Sequence, residues 1–296
     1  MLPPVAEELR LLGFDPVIVL DGAACGIPEK RLILCVMRYR AAVSAPEVRE
    51  AVIHPYYPVS QQAYRTARGY AEQCRSAGIP VFLRNDLHIK SVLNRLPFLR
   101  RGKNTLSYLP QGGSRFHIQI LTADLELPVT CDPEPEEHAV SCGACTRCLR
   151  ACPTGAIAEE GFLREKCLRF WMMNGRKPPH EIAGKMGNRF IGCDVCESCC
   201  PMNRGEERQA PLTVPLRDLL TGEVGDLNLL IGANYTLPNR VLIQTCVLCA
   251  ALGRTDLIPE LRALLARTRS PAVRETAEEA LARLSEATDG NKGGSS

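Results

Sequence analysis

"SCGACTRCLRACPTGAI", residues 141–157, carries Cys142, Cys145, Cys148 and Cys152, with Pro153 directly after the last. The spacing is C-x2-C-x2-C-x3-C-P. Gaps of two residues let successive sulfurs point at one centre, and soft thiolates suit iron–sulfur clusters. Zinc is the rival, but structural zinc sites pair their cysteines across a longer gap and leave a third close thiol superfluous. In the iron–sulfur pattern three of these thiolates hold one [4Fe–4S] cube and the fourth belongs to a second. From 141 to 205 the chain is rich in cysteine, small residues and turns and poor in apolar side chains. Such a segment is organised around a cofactor rather than around side-chain burial.

The second cube needs its own ligands. "GCDVCESCCPMN" (192–203) offers Cys193, Cys196, Cys199 and Cys200 before Pro201, and "REKCLRFW" (164–171) offers Cys167. Two cubes take eight thiolates, so one of these nine is spare. A plain ferredoxin reading uses Cys199 and leaves Cys167 as a bystander; the other reading uses Cys167 and leaves Cys199. Spacing leaves both open. No C-x3-C-x2-C run of the radical-SAM kind is present. Cys25, Cys35, Cys74 and Cys131 have no ligand spacing, and Cys246 and Cys249 lie in an apolar helical stretch, where thiols act as small buried hydrophobes.

Composition sets the context. The 296 residues hold 15 cysteines, too thinly spread for a small disulfide scaffold. The opening Met1-Leu2-Pro3-Pro4 lacks the basic and apolar regions of a signal peptide. No apolar run approaches the roughly 20 residues of a membrane helix. A reducing compartment, the cytoplasm, is therefore expected, with no membrane partner. Net charge is +3, from 36 Lys and Arg against 33 Asp and Glu, too mild to imply nucleic-acid binding by itself. Any such case rests on local groups: Arg84, His88, Lys90, Arg95, Arg100, Arg101 and Lys103 around the single acid Asp86, and Arg164, Lys166, Arg169, Arg176 and Lys177 beside the cysteines. Charge runs are most often solvated faces.

The rest of the chain reads as α+β. Residues 5–12 are expected to be helical, the short apolar runs at 17–20, 31–37, 80–83 and 117–122 to be strands, and 59–77 a helix stopped at Gly78. Leu87, Val92, Leu93 and Leu96 fall on one helical face over 86–101, broken near Pro97. Beyond the cysteines, 240–252, 256–267 and 270–285 form short amphipathic helices. Leu257, Leu261, Leu264 and Leu265 mark a buried face, and Ser270-Pro271 supplies a cap with Pro at the first position. These helices resemble a HEAT-type repeat, which is stable only when docked. The expected organisation is an α+β domain (1–132), a ferredoxin-like double [4Fe–4S] domain (133–208), a helical HEAT-like domain (209–286) and a disordered tail (287–296).

The succession "RRGKNTLSYLPQGGSRFHIQILTADLEL" (100–127), the first cysteine run, "KCLRFW", "CDVCESCCPMN" and a HEAT-like tail resembles the epoxyqueuosine reductase family over about residues 80–285. The resemblance implies two [4Fe–4S] clusters feeding electrons to cobalamin, which reduces an epoxide on a tRNA nucleoside to give queuosine. It implies a first cluster on Cys142, Cys145, Cys148 and Cys200 and a second on Cys152, Cys167, Cys193 and Cys196. It also implies tRNA as partner and a low-potential electron donor such as ferredoxin or flavodoxin. Within the Gly102-Lys103-Asn104 element, Lys103 and Asn104 become candidates for a cobalamin or substrate pocket. Alternatively, they hold a turn to which Gly102 lends backbone freedom.

The chain departs from the family in three ways. It is shorter than typical members on the N-terminal side, and Cys199 stands where the family carries an apolar residue. The family's acidic proton donor lies in an Asp-small-x-Pro context, whereas the nearest acid here, Asp86, is followed by Leu87-His88. Loss of the epoxide oxygen needs a general acid, and Asp86 serves if burial keeps it protonated; otherwise it caps a helix at Leu87. Trp171 is expected to pack over a cluster. The alternative function is a ferredoxin-like electron carrier or corrinoid-reactivating protein without tRNA activity; a third is an interaction module with structural clusters.

Overall fold

The computed structural model describes residues 4–290 except 89, 110–111, 136–139, 204, 206–207 and 223–224. Residues group into two compact units, each assembled from separated segments. One contains residues up to 41, 58–148 and 196–207; the other contains 42–57, 149–195 and 208 onward.

In the first unit the apolar run Arg31–Arg38 becomes an inner strand of a four-stranded antiparallel sheet. The order is Val17–Asp21, Arg31–Arg38, Phe116–Ala123, Val81–Arg84. Leu32 to Met37 are all buried because both faces of this strand are covered. Val17, Val19, Ile33, Cys35, Met37 and Leu121 face the helices Val5–Leu11 and Tyr56–Ser76, meeting Leu9, Ala63, Ala67, Tyr70, Ala71 and Cys74. Ile18, Leu20, Leu32, Leu34 and Val36 face the opposite core with Val92, Leu96 and Leu99. The alternation is the period-two signature of a sheet buried on both sides. Tyr56–Ser76 ends as expected: Gly78 takes φ +72°, and the N–H of Ile79 reaches the Cys74 carbonyl at 2.8 Å.

Among its described residues, the stretch 86–101 is helical only over Lys90–Asn94. Its apolar residues are nevertheless drawn inward: Leu96 and Leu99, around Pro97, enter the core without helical geometry. A short hairpin follows, Arg100–Arg101 with Ser107–Tyr108, closed by Gly102 N–H to Leu106 O at 2.9 Å.

The second unit has its own three-stranded sheet. Ala51–Ile53 lies in the middle, parallel to Arg189–Ile191 and antiparallel to Leu212–Val214. Helix Pro238–Ala251 is buried along most of its length, against Leu216–Thr221, Pro271–Gly290 and the strand Arg189–Ile191. This is the docking that a short helical repeat requires. Leu257, Leu261 and Leu264 are buried, and Leu265 packs partly against the same core. Ser270 caps the last helix by accepting the Val273 N–H at 3.4 Å. That helix continues to Gly290, through the first residues of the expected disordered tail; 291–296 lie outside the described residues. No helix among the described residues is long and apolar enough to cross a membrane.

The three consecutive domains read from the sequence and these two units cut the chain differently. Segment 196–207 joins the first unit through the buried contacts described below, and 42–57 gives the second unit its central strand.

Candidate metal centre

The first unit gathers Cys142, Cys145, Cys148 and Cys200 around one cavity of about 120 Å³. That is several times the ~10–15 Å³ that one water needs. Leu106, Tyr108, Pro201 and Met202 make much of the cavity's surface apolar, and Asn104, Ser114, Ser141 and Arg147 add polar groups to the lining. The first three thiols come from a loop and the short helix Arg147–Ala151, whereas Cys200 arrives from a segment over fifty residues further on. Burial raises the pKa of Cys200, and Cys142 and Cys145 within electrostatic reach raise it further, while Arg115 works against them. Among the described residues no three Cys, His, Asp or Glu side chains converge on a single-ion site. A cube has a different demand, because each thiolate binds a different iron and the sulfurs stand apart around it.

What brings Cys200 to this place is a polar network that the sequence reading missed. Glu197, inside the short helix Val195–Ser198, is buried and pairs with buried Arg115 at 3.1 Å. The hydroxyl of Tyr39 donates to the other Glu197 oxygen at 2.7 Å. Arg115 also donates to the Asn203 carbonyl at 3.1 Å, and Asn203 in turn donates to Ser114 Oγ and to the Glu197 carbonyl, each at 2.9 Å. Gly113, at φ +67°, passes so close that a Cβ there would lie 2.0 Å from Asn203 Oδ1. A buried charge pair is retained only when its remaining hydrogen-bonding capacity is met, and here it is met from both sides.

The turn Gly102-Lys103-Asn104 lies against the same cysteine loop. The Lys103 N–H donates to Cys142 Sγ at 3.3 Å, and its ammonium donates to the carbonyls of Gly143 and Cys145 at 2.8 and 3.1 Å. Asn104 is buried and donates through Nδ2 to the Cys196 carbonyl at 3.1 Å. The unusual backbone belongs to Thr105, at φ +63°, rather than to Gly102. Gly102 is required for a different reason: a Cβ would meet Asn104 Oδ1 at 2.5 Å.

The second unit carries Cys152, Cys167 and Cys193. Burial disfavours the Cys152 thiolate, but the N–H groups of Thr154, Ala156 and Ile157 and the Thr154 hydroxyl outweigh it and lower the pKa. Of these, the Ala156 N–H lies 3.3 Å from Sγ. Cys167 stands directly before helix Leu168–Asn174. Burial pushes Cys193 up to about 11, with Arg189 lowering it and Cys167 within electrostatic reach. The preceding Gly192, at φ +87°, sits too close to His54 and Tyr57 for any side chain. Cys199 belongs to the first unit: burial raises its pKa, and Cys148, Cys200 and Cys145 act on it.

Asp86 departs from both readings of the sequence. Its side chain is 69% exposed and bidentate to Arg84, at 2.9 and 2.8 Å. The Arg84 hydrogen bonds, with its own backbone, hold the carboxyl at about 2, the wrong direction for an acid that must keep its proton. It caps no helix either, since the helix begins at Lys90. Several of the basic residues are also engaged internally. Arg84 pairs with Glu29 and Asp86, Arg100 donates to the Pro97 and Leu99 carbonyls, and Lys177 pairs with Glu275 and Glu279. Arg164 stacks over Phe170, and Arg169 stacks over Tyr56 and bonds the Tyr57 hydroxyl. Trp171 meets Phe170 edge-on and donates to the Glu165 carbonyl at 2.6 Å. Cys35, Cys74, Cys246 and Cys249 are buried in the two units' apolar cores.

Comparison with known proteins fits this arrangement. Residues 141–203 match the family model described as a 4Fe-4S double cluster binding domain, which gives that segment two [4Fe–4S] clusters. The epoxyqueuosine reductase of Bacillus subtilis (strain 168) is 27% identical over 213 residues, covering 67% of this chain and 54% of that protein. That of Vibrio cholerae serotype O1 is 40% identical over 114 residues, 38% of this chain and 28% of that one. The chain thus spans about half the length of the first of these curated relatives. A crystal structure of epoxyqueuosine reductase with an epoxyqueuosine-modified tRNA-Tyr stem loop superimposes with a TM-score of 0.73 at 20% identity. The match covers 94% of this chain and 88% of that one. The enzyme from Streptococcus thermophilus gives 0.69 at 20% identity, over 97% and 92%. The chain therefore resembles epoxyqueuosine reductases in sequence and shares their mixed α and β fold.

Proposed function

We propose that the protein is an iron–sulfur oxidoreductase that passes electrons through two [4Fe–4S] clusters to cobalamin and reduces epoxyqueuosine in tRNA to queuosine. The observation that carries the reading is the combination of the double-cluster segment at 141–203 with likeness to epoxyqueuosine reductase over 213 residues. A solved relative that holds an epoxyqueuosine-modified tRNA stem loop supports tRNA as the partner. The reading includes a low-potential donor, a ferredoxin or flavodoxin, and the cytoplasm, where thiols stay reduced.

In this reading Cys142, Cys145, Cys148 and Cys200 hold the first cluster and Cys152, Cys167, Cys193 and Cys196 the second. Support for Cys167 over Cys199 comes from their neighbours: Cys167 acts on Cys193, whereas Cys199 is surrounded by thiols of the first set. A [4Fe–4S] cluster supplies one-electron transfer. The protein's own part is to hold the thiolates, keep water from the apolar wall around them, and fix Cys200 through Arg115 and Glu197. Epoxide removal takes two electrons and two protons and releases water. Asp86, exposed and paired with Arg84, is not assigned the proton. Lys103 and Asn104 are engaged with the cysteine segments, so neither is assigned to hold cobalamin.

The engagement of Asp86 and of several basic residues favours a second reading, a corrinoid-reducing electron carrier without tRNA activity. One experiment separates the two. Anaerobically reconstituted protein is given cobalamin, a low-potential reductant and epoxyqueuosine tRNA, and the nucleosides are analysed by mass spectrometry. Queuosine formation upholds the reductase. Reduction of cobalamin with no queuosine upholds the carrier.

A further inference from the structure

We propose that Lys103 is a positioning residue of the first cluster: its ammonium locks the Cys142–Cys145 loop and raises that cluster's reduction potential. The inference rests on the reading that Cys142, Cys145, Cys148 and Cys200 hold a [4Fe–4S] cube.

The geometry is specific. The ammonium donates to the carbonyls of Gly143 and Cys145, at 2.8 and 3.1 Å, so it is fixed on the loop between the first two ligands rather than swinging in solvent. The same residue's N–H points at Cys142 Sγ, 3.3 Å away. Gly102 lets the turn settle this close, since a Cβ there would press on Asn104 Oδ1 and come within 3.6 Å of Cys142 Sγ. Asn104 then ties the turn to the Cys196 carbonyl at 3.1 Å, so one short turn grips both cysteine segments.

The physical consequence follows from charge. Reduction adds one electron and no proton, so the reduced cluster and its four thiolates are more negative than the oxidised form. A fixed cation and an N–H aimed at a ligand sulfur both stabilise the more negative state and raise the potential. The cavity's largely apolar lining strengthens the effect of the N–H at Cys142, while the ammonium's contact with Gly143 is exposed and more screened. Lysine suits this role as a compact point charge with several donors.

The test uses the full-length, anaerobically reconstituted protein and the variants Lys103→Met, Lys103→Arg and Lys90→Met. Lys90 is an exposed residue of the same unit and serves as the control. Lys103→Met keeps the backbone N–H to Cys142 and removes the charge together with its two hydrogen bonds to the loop carbonyls. Iron is counted, and each cluster's midpoint is found by EPR-monitored titration with dithionite. All four proteins are expected to hold eight irons. In Lys103→Met the reduction equilibrium of one cluster falls about tenfold, which is about 59 mV for one electron; the other cluster keeps its midpoint. Lys103→Arg restores the midpoint and Lys90→Met leaves it unchanged. Full iron in Lys103→Met with unchanged midpoints overturns the proposal. Loss of about four irons in Lys103→Met also overturns it, reducing Lys103 to a structural tether. Fewer than eight irons in the unaltered protein would instead sink the cluster reading itself, before any variant is compared.

Discussion

Replacing Glu197 by Gln removes one negative charge from a buried pair while keeping the side chain's shape. Glu197 is 6% exposed and Arg115 3%, and the carboxylate accepts from Arg115 Nε at 3.1 Å and from the Tyr39 hydroxyl at 2.7 Å. The hydroxyl can rotate to accept from the new amide, so its hydrogen bond survives and the main loss is the guanidinium's counter-charge. Breaking a buried pair from one side costs about 3–5 kcal/mol, because the remaining charge stays desolvated. With a urea slope of about 3 kcal/mol per molar, the unfolding midpoint should fall by about 1–2 M. The assay is urea unfolding of the anaerobic holoprotein by far-UV circular dichroism, with iron release followed in parallel. Because Glu197 holds the segment bearing Cys196 and Cys200, iron should be released at lower urea along with structure. Removing both charges, with Glu197→Leu and Arg115→Met together, should recover most of the loss, as buried pairs replaced by apolar residues commonly do. A midpoint shift under about 0.3 M for Glu197→Gln, below ~1 kcal/mol at that slope, would refute the reasoning. So would a double variant no more stable than the single.

Other expectations follow from the same contacts. Asp86→Asn should change the rate of epoxide reduction by less than about threefold, since an exposed, Arg84-paired carboxylate is a poor proton reservoir; a hundredfold loss would restore it as the acid. Cys249, pushed up to about 12 by burial, stays a thiol when folded but ionises from about 9 when unfolded. Its contribution to stability is therefore complete below pH 9 and is lost as pH rises towards 12. Cys249→Ala should flatten the alkaline decline of the thermal midpoint, and an unchanged slope would count against this account. Ser270→Ala should cost about 0.5–1 kcal/mol through loss of the cap on the last helix, measured as a lower thermal midpoint.

Much of the fold was legible because it rests on local pattern. The apolar run at 31–37 reads as a strand, and Arg31–Arg38 forms the second strand of the four, covered on both faces. Gly78 and Ser270 end and start helices through backbone freedom and a hydroxyl acceptor, signals carried by single residues. The cysteine spacing also declared its chemistry, because metal ligation needs particular side chains at close intervals. The Glu197 network was not legible. Its partners are 82 and 158 positions away, so nothing near Glu197 announces them. One signal was present: an acid set amid cysteines, where burial demands a cation. Asp86 misled for the opposite reason. The sequence offered a helix to cap and a site to serve, while Arg84, only two residues before it, claimed both oxygens. The Gly-Lys-Asn element was seen to matter, but its role depends on which carbonyls its donors reach, and that is a property of the folded loop.

In the proposed reading eight thiolates hold the two clusters, with Cys167 a ligand and Cys199 spare. Its most direct test is iron content and EPR of Cys167→Ser and Cys199→Ser, made separately and reconstituted alike. The account predicts that Cys199→Ser keeps eight irons and both reduced-cluster signals, while Cys167→Ser loses about four irons and one signal. Loss of the second cluster in Cys199→Ser, with Cys167→Ser intact, would contradict it.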